Sequence, residues 1–254
     1  MSKIKLFLDA GHGGRDPGAV GNGMHEADIN FDVCIRLADI LRPNGFDIML
    51  SRPTIDVTPR HPRDGGQTIN ARAIMSNEWG ADYFISIHVN AAGGTGAESF
   101  FWGANARKFS QTILDKYCKL MGLRNRRNEM TDRWGVIRMT NCPAILFELA
   151  FIDAPPQKPD INILRNKRQE MAEAMAQGIF KYFNITLRQE SGSPIGGDTA
   201  FPMDIQKAIN ILHRHGVINS PDYWRHNYHR LAYVDRLIIN MAAKLEGRPC
   251  PYNI

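Results

Sequence analysis

Tyr83-Phe84-Ile85-Ser86-Ile87-His88-Val89-Asn90 is the stretch on which the reading of the fold turns. It is a short apolar run that follows a glycine-closed segment, which reads as a strand over 83–89. Working upstream, Thr68 to Trp79 reads as a helix closed by Gly80, and Phe46 to Leu50 as a strand. Ile29, Val33, Leu37, Ile40 and Leu41 recur at helical spacing, so Asp28 to Leu41 is a helix stopped by Asn44-Gly45. Lys3 to Asp9 is a further buried strand. Working downstream, Ala97 to Trp102 reads as a strand, Ala104 to Met121 as a helix, Ala144 to Leu149 as a buried strand and Asn166 to Phe183 as a helix. Strands alternating with helices predict an α/β fold, a twisted mixed sheet flanked by helices.

From Arg188 to Pro202 the composition becomes that of a linker, Gln-Glu-Ser-Gly-Ser-Pro-Ile-Gly-Gly-Asp within it. This predicts a catalytic domain over 1–187, a linker over 188–202 and a small helical C-terminal domain over 203–254. Ile205, Ala208, Ile209 and Leu212 mark one amphipathic helix of that domain; Leu231, Val234, Leu237, Ile238, Met241 and Leu245 mark a second. So short a tail buries little apolar surface alone, so docking onto the core or homodimer formation through these helices is expected.

The composition of the 254-residue chain excludes disordered and collagen-like classes, and no apolar run approaches the roughly 20 residues a membrane span requires. Membrane insertion is therefore not expected. The N-terminus lacks the apolar core of a secretory signal, so synthesis in the cytoplasm without a leader is expected. Cys34, Cys118, Cys142 and Cys250 have no spacing suited to zinc-thiolate sites or a disulfide framework. The net charge of +5 favours anionic polymers without choosing among them.

Four residues carry the chemistry. Leu8-Asp9-Ala10-Gly11-His12-Gly13-Gly14 delivers His12 from a strand into a glycine loop, which permits close backbone approach to whatever the imidazole binds. Glu26, ahead of the first helix, has an ordinary reading as a carboxylate favoured by the helix dipole. His88 ends an apolar strand, where a polar ring needs a hydrogen-bond partner or a metal. Glu148 lies within Pro143-Ala144-Ile145-Leu146-Phe147-Glu148-Leu149-Ala150-Phe151, where an unpaired carboxylate is costly and desolvation raises its pKa toward the range of a general acid or base. Together His12, Glu26 and His88 match the two-histidine, one-carboxylate set of catalytic zinc sites, with Glu148 as the proton-handling group.

These blocks, with Asn70-Ala71-Arg72 and Ala81-Asp82-Tyr83-Phe84-Ile85, resemble the zinc-dependent N-acetylmuramoyl-L-alanine amidases of the amidase-3 family over residues 1 to about 185. The resemblance implies Zn2+ held by His12, Glu26 and His88, catalysis by Glu148, and hydrolysis of the amide between the muramic acid lactyl group and L-alanine of peptidoglycan. Ala150 and Asp153 depart from the family's usual glycine and asparagine. Asn90 is a candidate to orient a ligand imidazole. Gly216-Val217-Ile218-Asn219-Ser220-Pro221-Asp222-Tyr223-Trp224 resembles a segment that follows the amidase domain in phage endolysins and sporulation lysins, which implies wall targeting or dimerisation by the tail and action on the wall after holin-type release or cell lysis.

Two other classes fit parts of the pattern. The same ligands serve a zinc carboxypeptidase acting on wall peptides. A noncatalytic module would use the basic charge and His213, His215, Trp224, His226 and His229 to engage wall polymer or nucleic acid, although His213 and His215 also suit a helix C-terminus. The favoured reading has peptidoglycan as substrate and no nucleic-acid partner. His25 competes with Glu26 as a ligand, and His61 reads as a loop residue.

Overall fold

The computed structural model describes residues 3–103, 105–185, 205–217 and 234–247. Cα packing divides the chain into two units, Met1–Leu187 and Arg188–Ile254. The first unit opens with β1 (Ile4–Ala10), a minimal hairpin of β2 (Val20–Gly21) and β3 (Met24–His25), and helix α1 (Glu26–Leu41). Then come β4 (Phe46–Leu50), α2 (Thr68–Trp79), β5 (Tyr83–Asn90), β6 (Ala97–Trp102) and α3 (Ala106–Met121). Strand β7 (Asn125–Met130), the single turn α4 (Gly135–Arg138), β8 (Ala144–Phe151), α5 (Asp160–Asn166) and α6 (Arg168–Phe183) complete it.

Six strands form one sheet in the order β4-β1-β5-β8-β6-β7. The first four run parallel. Strand β6 is antiparallel to β8, and β7 is parallel to β6, so the sheet is mixed as the sequence predicts. Reversal of β6 has a direct consequence for the site: its N-terminal end lies beside the C-terminal ends of the parallel strands.

Alternation of side chains sorts the sheet into two faces. On one, Phe7, Phe84, Phe100, Ala144 and Leu146 form a buried cluster with Val136 and Ile137 of α4. On the other, α3 packs Tyr117 against Phe147 and Phe109 against Tyr83, and α6 brings Tyr182 and Phe183 to the same aromatic group. Helix α1 lies beside α6. Along the first face the side chains change from apolar to polar toward the C-terminal edge of the sheet. Register places Asp9, Ser86, Leu146 and Phe100 in one cross-strand row and His88, Glu148, Glu98 and Arg127 in the next.

The structure differs from the expectations in detail at three places. The first helix starts at Glu26, two residues before the expected Asp28, which puts Glu26 inside its first turn. The helix expected over 166–183 is α6, which starts at Arg168, and a short helix the sequence did not signal, α5, precedes it with a break at Lys167, φ −126 and ψ 37. Strand β7 was not signalled, because its residues Asn-Arg-Arg-Asn-Glu-Met are all exposed or half-buried and carry no apolar alternation.

In the second unit, α7 (Ile205–Arg214) and α8 (Val234–Leu245) pack together. Ala208, Ile211, Leu212, Ile239, Ala242 and Ala243 are buried there, while Met241 and Leu245 are exposed. Arg214 donates to Glu246 across the pair. The expected linker over 188–202, most of the 216–224 segment, and Trp224, His226, His229 and Cys250 lie outside the described residues. Cys34, Cys118 and Cys142 are free thiols. Among the described residues no helix is long and apolar enough to cross a membrane.

Candidate active site

Strand β1 ends at Ala10, and Gly11 continues its ladder by donating its amide to Ile87 O at 3.0 Å. A Cβ on Gly11 would stand 2.4 Å from the His88 ring, so only glycine lets the two strand ends approach this closely. His12 then takes a left-handed conformation, φ 62, which turns its imidazole back over the sheet edge. Gly18, at φ 66, passes so near that a Cβ would meet Glu26 Oε2 at 2.6 Å.

Glu26 is the meeting point. Its Oε1 stands 3.2 Å from His12 Nε2 and 2.9 Å from His88 Nδ1, and accepts the Val89 amide at 3.0 Å and Asn30 Nδ2 at 3.3 Å. Its Oε2 accepts the Ala19 amide at 2.8 Å. Ligand-type atoms of His12, Glu26 and His88 all lie within 4.8 Å of one another, a group able to hold a metal ion. Burial by itself pulls the His12 pKa down, but hydrogen bonds and charge from Glu26 and Asp16 outweigh it and raise the group to about 9. Burial likewise works against the charge on Glu26, and the two imidazoles outweigh it, holding that carboxyl far below its ordinary range. Two imidazoles and one carboxylate in this arrangement are the donor set of a divalent-cation site.

Glu148 stands beside this group. It is directly opposite His88 on β5 and Glu98 on β6, and only 9% exposed. Its Oε2 is buried with no hydrogen-bond partner among the described residues. Burial, then the negative charges of Glu26 and Glu98, push its pKa well above the usual carboxylate value, against a smaller opposing pull from His12. A carboxyl so raised holds a proton more readily than an ordinary one, as a proton-handling group must.

A second layer fixes the donors, and sequence reasoning missed most of it. Asp16 Oδ2 lies 2.8 Å from His12 Nδ1, which directs Nε2 toward Glu26. Asp9, wholly buried, accepts Ser86 Oγ at 2.6 Å and pairs with Arg72. The Arg72 guanidinium also donates to Ala10 O at 2.7 Å and His12 O at 2.6 Å, so one side chain anchors the whole β1 exit. Buried Arg52 donates to Ala10 O at 3.3 Å, Ile55 O and Ala27 O, both at 2.8 Å, tying β1, the following loop and α1 together. The polar alternation Asp9, Ser86, His88 was the one available signal of this layer.

The structure therefore brings together His12, Glu26, His88 and Glu148. Asn90 does not orient His88: its Nδ2 donates to Glu98 Oε2 at 3.0 Å and its Oδ1 accepts the Ala91 amide. His25 is more than half exposed and faces Asp28 at 3.7 Å, so it stands apart from the group. His61 pairs with Glu78. His213 is exposed in the last turn of α7, and His215, just beyond that helix, faces Glu246 at 3.5 Å. Asp153 accepts the amides of Ala92 and Gly93 at 2.8 and 3.0 Å, holding the loop after β5.

Residues 6–181 match the family model described as N-acetylmuramoyl-L-alanine amidase. The sporulation-specific N-acetylmuramoyl-L-alanine amidase of Bacillus subtilis is 35% identical over 196 residues, covering 74% of this chain and 72% of its own. The endolysin of Bacillus phage SPP1 is 32% identical over 205 residues, covering 76% and 71%. Among solved structures, the N-acetylmuramoyl-L-alanine amidase of Clostridium difficile 630 superposes with a TM-score of 0.63 at 26% identity, over 72% of this chain and 98% of that one. On these grounds the chain belongs to the N-acetylmuramoyl-L-alanine amidase family.

Proposed function

We propose that this amidase is zinc-dependent, that His12, Glu26 and His88 hold the metal, and that Glu148 carries the proton. The observation that supports it most is the convergence of two imidazoles on one buried carboxylate oxygen, 3.2 and 2.9 Å away, beside a second carboxylate whose Oε2 has no partner among the described residues. Zinc bound there supplies an acidified water and polarises the substrate carbonyl. The bond to be broken joins the muramic acid lactyl carbonyl to the nitrogen of L-alanine in peptidoglycan.

Glu148 takes the proton of the attacking water and returns it to the departing alanine nitrogen, so that a carboxylic acid and a free amine leave. Its desolvated position, between Glu98 and His88, suits a group that is protonated and deprotonated once per turnover. Asp16 holds His12 in the tautomer that leaves Nε2 free for a metal. Arg72 keeps the His12 carbonyl, and hence the ring, in place.

The test is release of new L-alanine amino termini from purified peptidoglycan, before and after chelation and with zinc restored. Release that stops on chelation and returns with zinc is the expected result. Release indifferent to chelation sinks the metal assignment. Release of a terminal D-amino acid instead would identify a wall carboxypeptidase.

A further inference from the structure

Strand β7 carries two arginines toward the site from a distance the sequence does not reveal. Register between β6 and β7 shifts after Ala97: Ala97 faces Asn125 but Glu98 faces Arg127, so Arg126 is the extra residue of a β-bulge. Without the bulge, Arg126 and Arg127 would point to opposite faces. With it, both reach one buried oxygen, Glu98 Oε1, Arg127 through Nε at 3.3 Å. Glu98 Oε2 is taken by Asn90. The Arg126 guanidinium lies over the Phe151 ring, 4.8 Å from its centre, which holds it flat.

Two guanidinium cations thus share one buried carboxylate. Arg126 spends only its Nε among the described residues, leaving both terminal nitrogens for a ligand. Arg127 is 45% exposed, and its other contact, to Glu129 Oε2 at 3.5 Å, is between two half-open side chains and easily exchanged. The pair sits in the same cross-strand row as Glu148 and His88, one strand beyond Glu98.

We propose that Arg126 and Arg127 form an anion subsite that holds a free carboxylate on the residue following L-alanine in the stem peptide, a proposal that rests on the amidase reading above. Distance favours that residue. Strands stand about 4.8 Å apart and an extended peptide advances about 3.5 Å per residue. Because both guanidinia lean back onto Glu98, the neighbour of Glu148, a carboxylate they hold is one or two residues beyond the scissile nitrogen. A planar fork with spare N–H groups matches a planar carboxylate two-pronged, and finds no such partner in its amide. The subsite therefore discriminates walls whose stem carboxylate is free from walls in which it is amidated.

The experiment uses the full chain and two muramoyl-L-alanyl dipeptides that differ only in whether the second residue's α-carboxylate is free or amidated. The native chain is expected to favour the free acid by about tenfold in kcat/KM, carried by KM. Arg127→Gln, with Arg126 left to neutralise Glu98, is expected to bring the ratio near one by raising KM for the acid. Arg127→Lys keeps the ion pair with Glu98 but not the fork, and is expected to lose about threefold or more of the preference; it decides the matter if the Gln variant does not fold. Equal rates on both substrates by the native chain, or a preference unchanged in the variants, overturns the subsite while leaving the amidase standing. No release from either substrate by the native chain would remove both.

Discussion

Glu148 lies opposite Glu98 on the neighbouring strand and feels the charge of Glu26, with one oxygen buried and unmatched among the described residues. Its raised pKa makes it a destabilising ion: the metal-free fold loses stability as pH climbs above 4.5, the ordinary value, toward the higher folded one. Glu148→Gln removes that ion at nearly constant shape. Thermal melts of the chelated protein should show the variant more stable at pH 7, with the difference closing below about pH 4.5, while turnover falls by on the order of 10²–10⁴ and zinc is still bound. Near-normal turnover would reassign the proton carrier. His12 behaves with the opposite sign. Its pKa is raised from 6.5 to about 9, so its protonated contribution to the chelated fold is complete below 6.5 and lost as pH rises through about 9. A metal must displace that proton, so zinc affinity should climb about tenfold per pH unit up to pH 9, with proton release at neutral pH detectable by calorimetry in buffers of different ionisation enthalpy. An affinity flat over that interval would remove His12 from the ligand set.

At the scale of elements, legibility followed burial. Strands β1, β5 and β8, and helix α1, announced themselves because their apolar residues are inside, as in β8, where every residue is buried, whereas α2 was legible from the glycine that closes it. Strand β7 did not, since an edge strand with exposed side chains has no pattern to show. The candidate ligands were legible as polar residues at the ends of apolar runs. Arg72, Arg52 and Glu98 were not, because what makes them important is a partner 25 to 63 residues away. Asn90 misled for the same reason: proximity in sequence to His88 suggested a partner that register gives to Glu98. The loop between β5 and β6 offers a clean energetic test. Ala92 sits at φ 103, in space that suits glycine, kept there by the Asp153 carboxylate on its amide. Ala92→Gly should raise unfolding free energy by about 1 kcal/mol in denaturant titrations, and a loss of that size would show the strain to be absent.

For the whole molecule, the relevant feature is where β8 sits. It is the last strand to be made, yet it lies in the middle of the sheet, joining β4-β1-β5 on one side to β6-β7 on the other. Until residue 151 has left the ribosome, the long apolar edge of β5 and the facing edge of β6 each lack a partner. Unpaired edges of this kind recruit other chains. Nascent chains halted before Ala144 are therefore expected to aggregate, and chains halted after Phe183 to stay dispersed, as ultracentrifugation of stalled-length fragments would register. Glu148, the proposed proton carrier, arrives on that same closing strand, so on that reading the site is assembled only when the sheet that protects the chain from aggregation has closed.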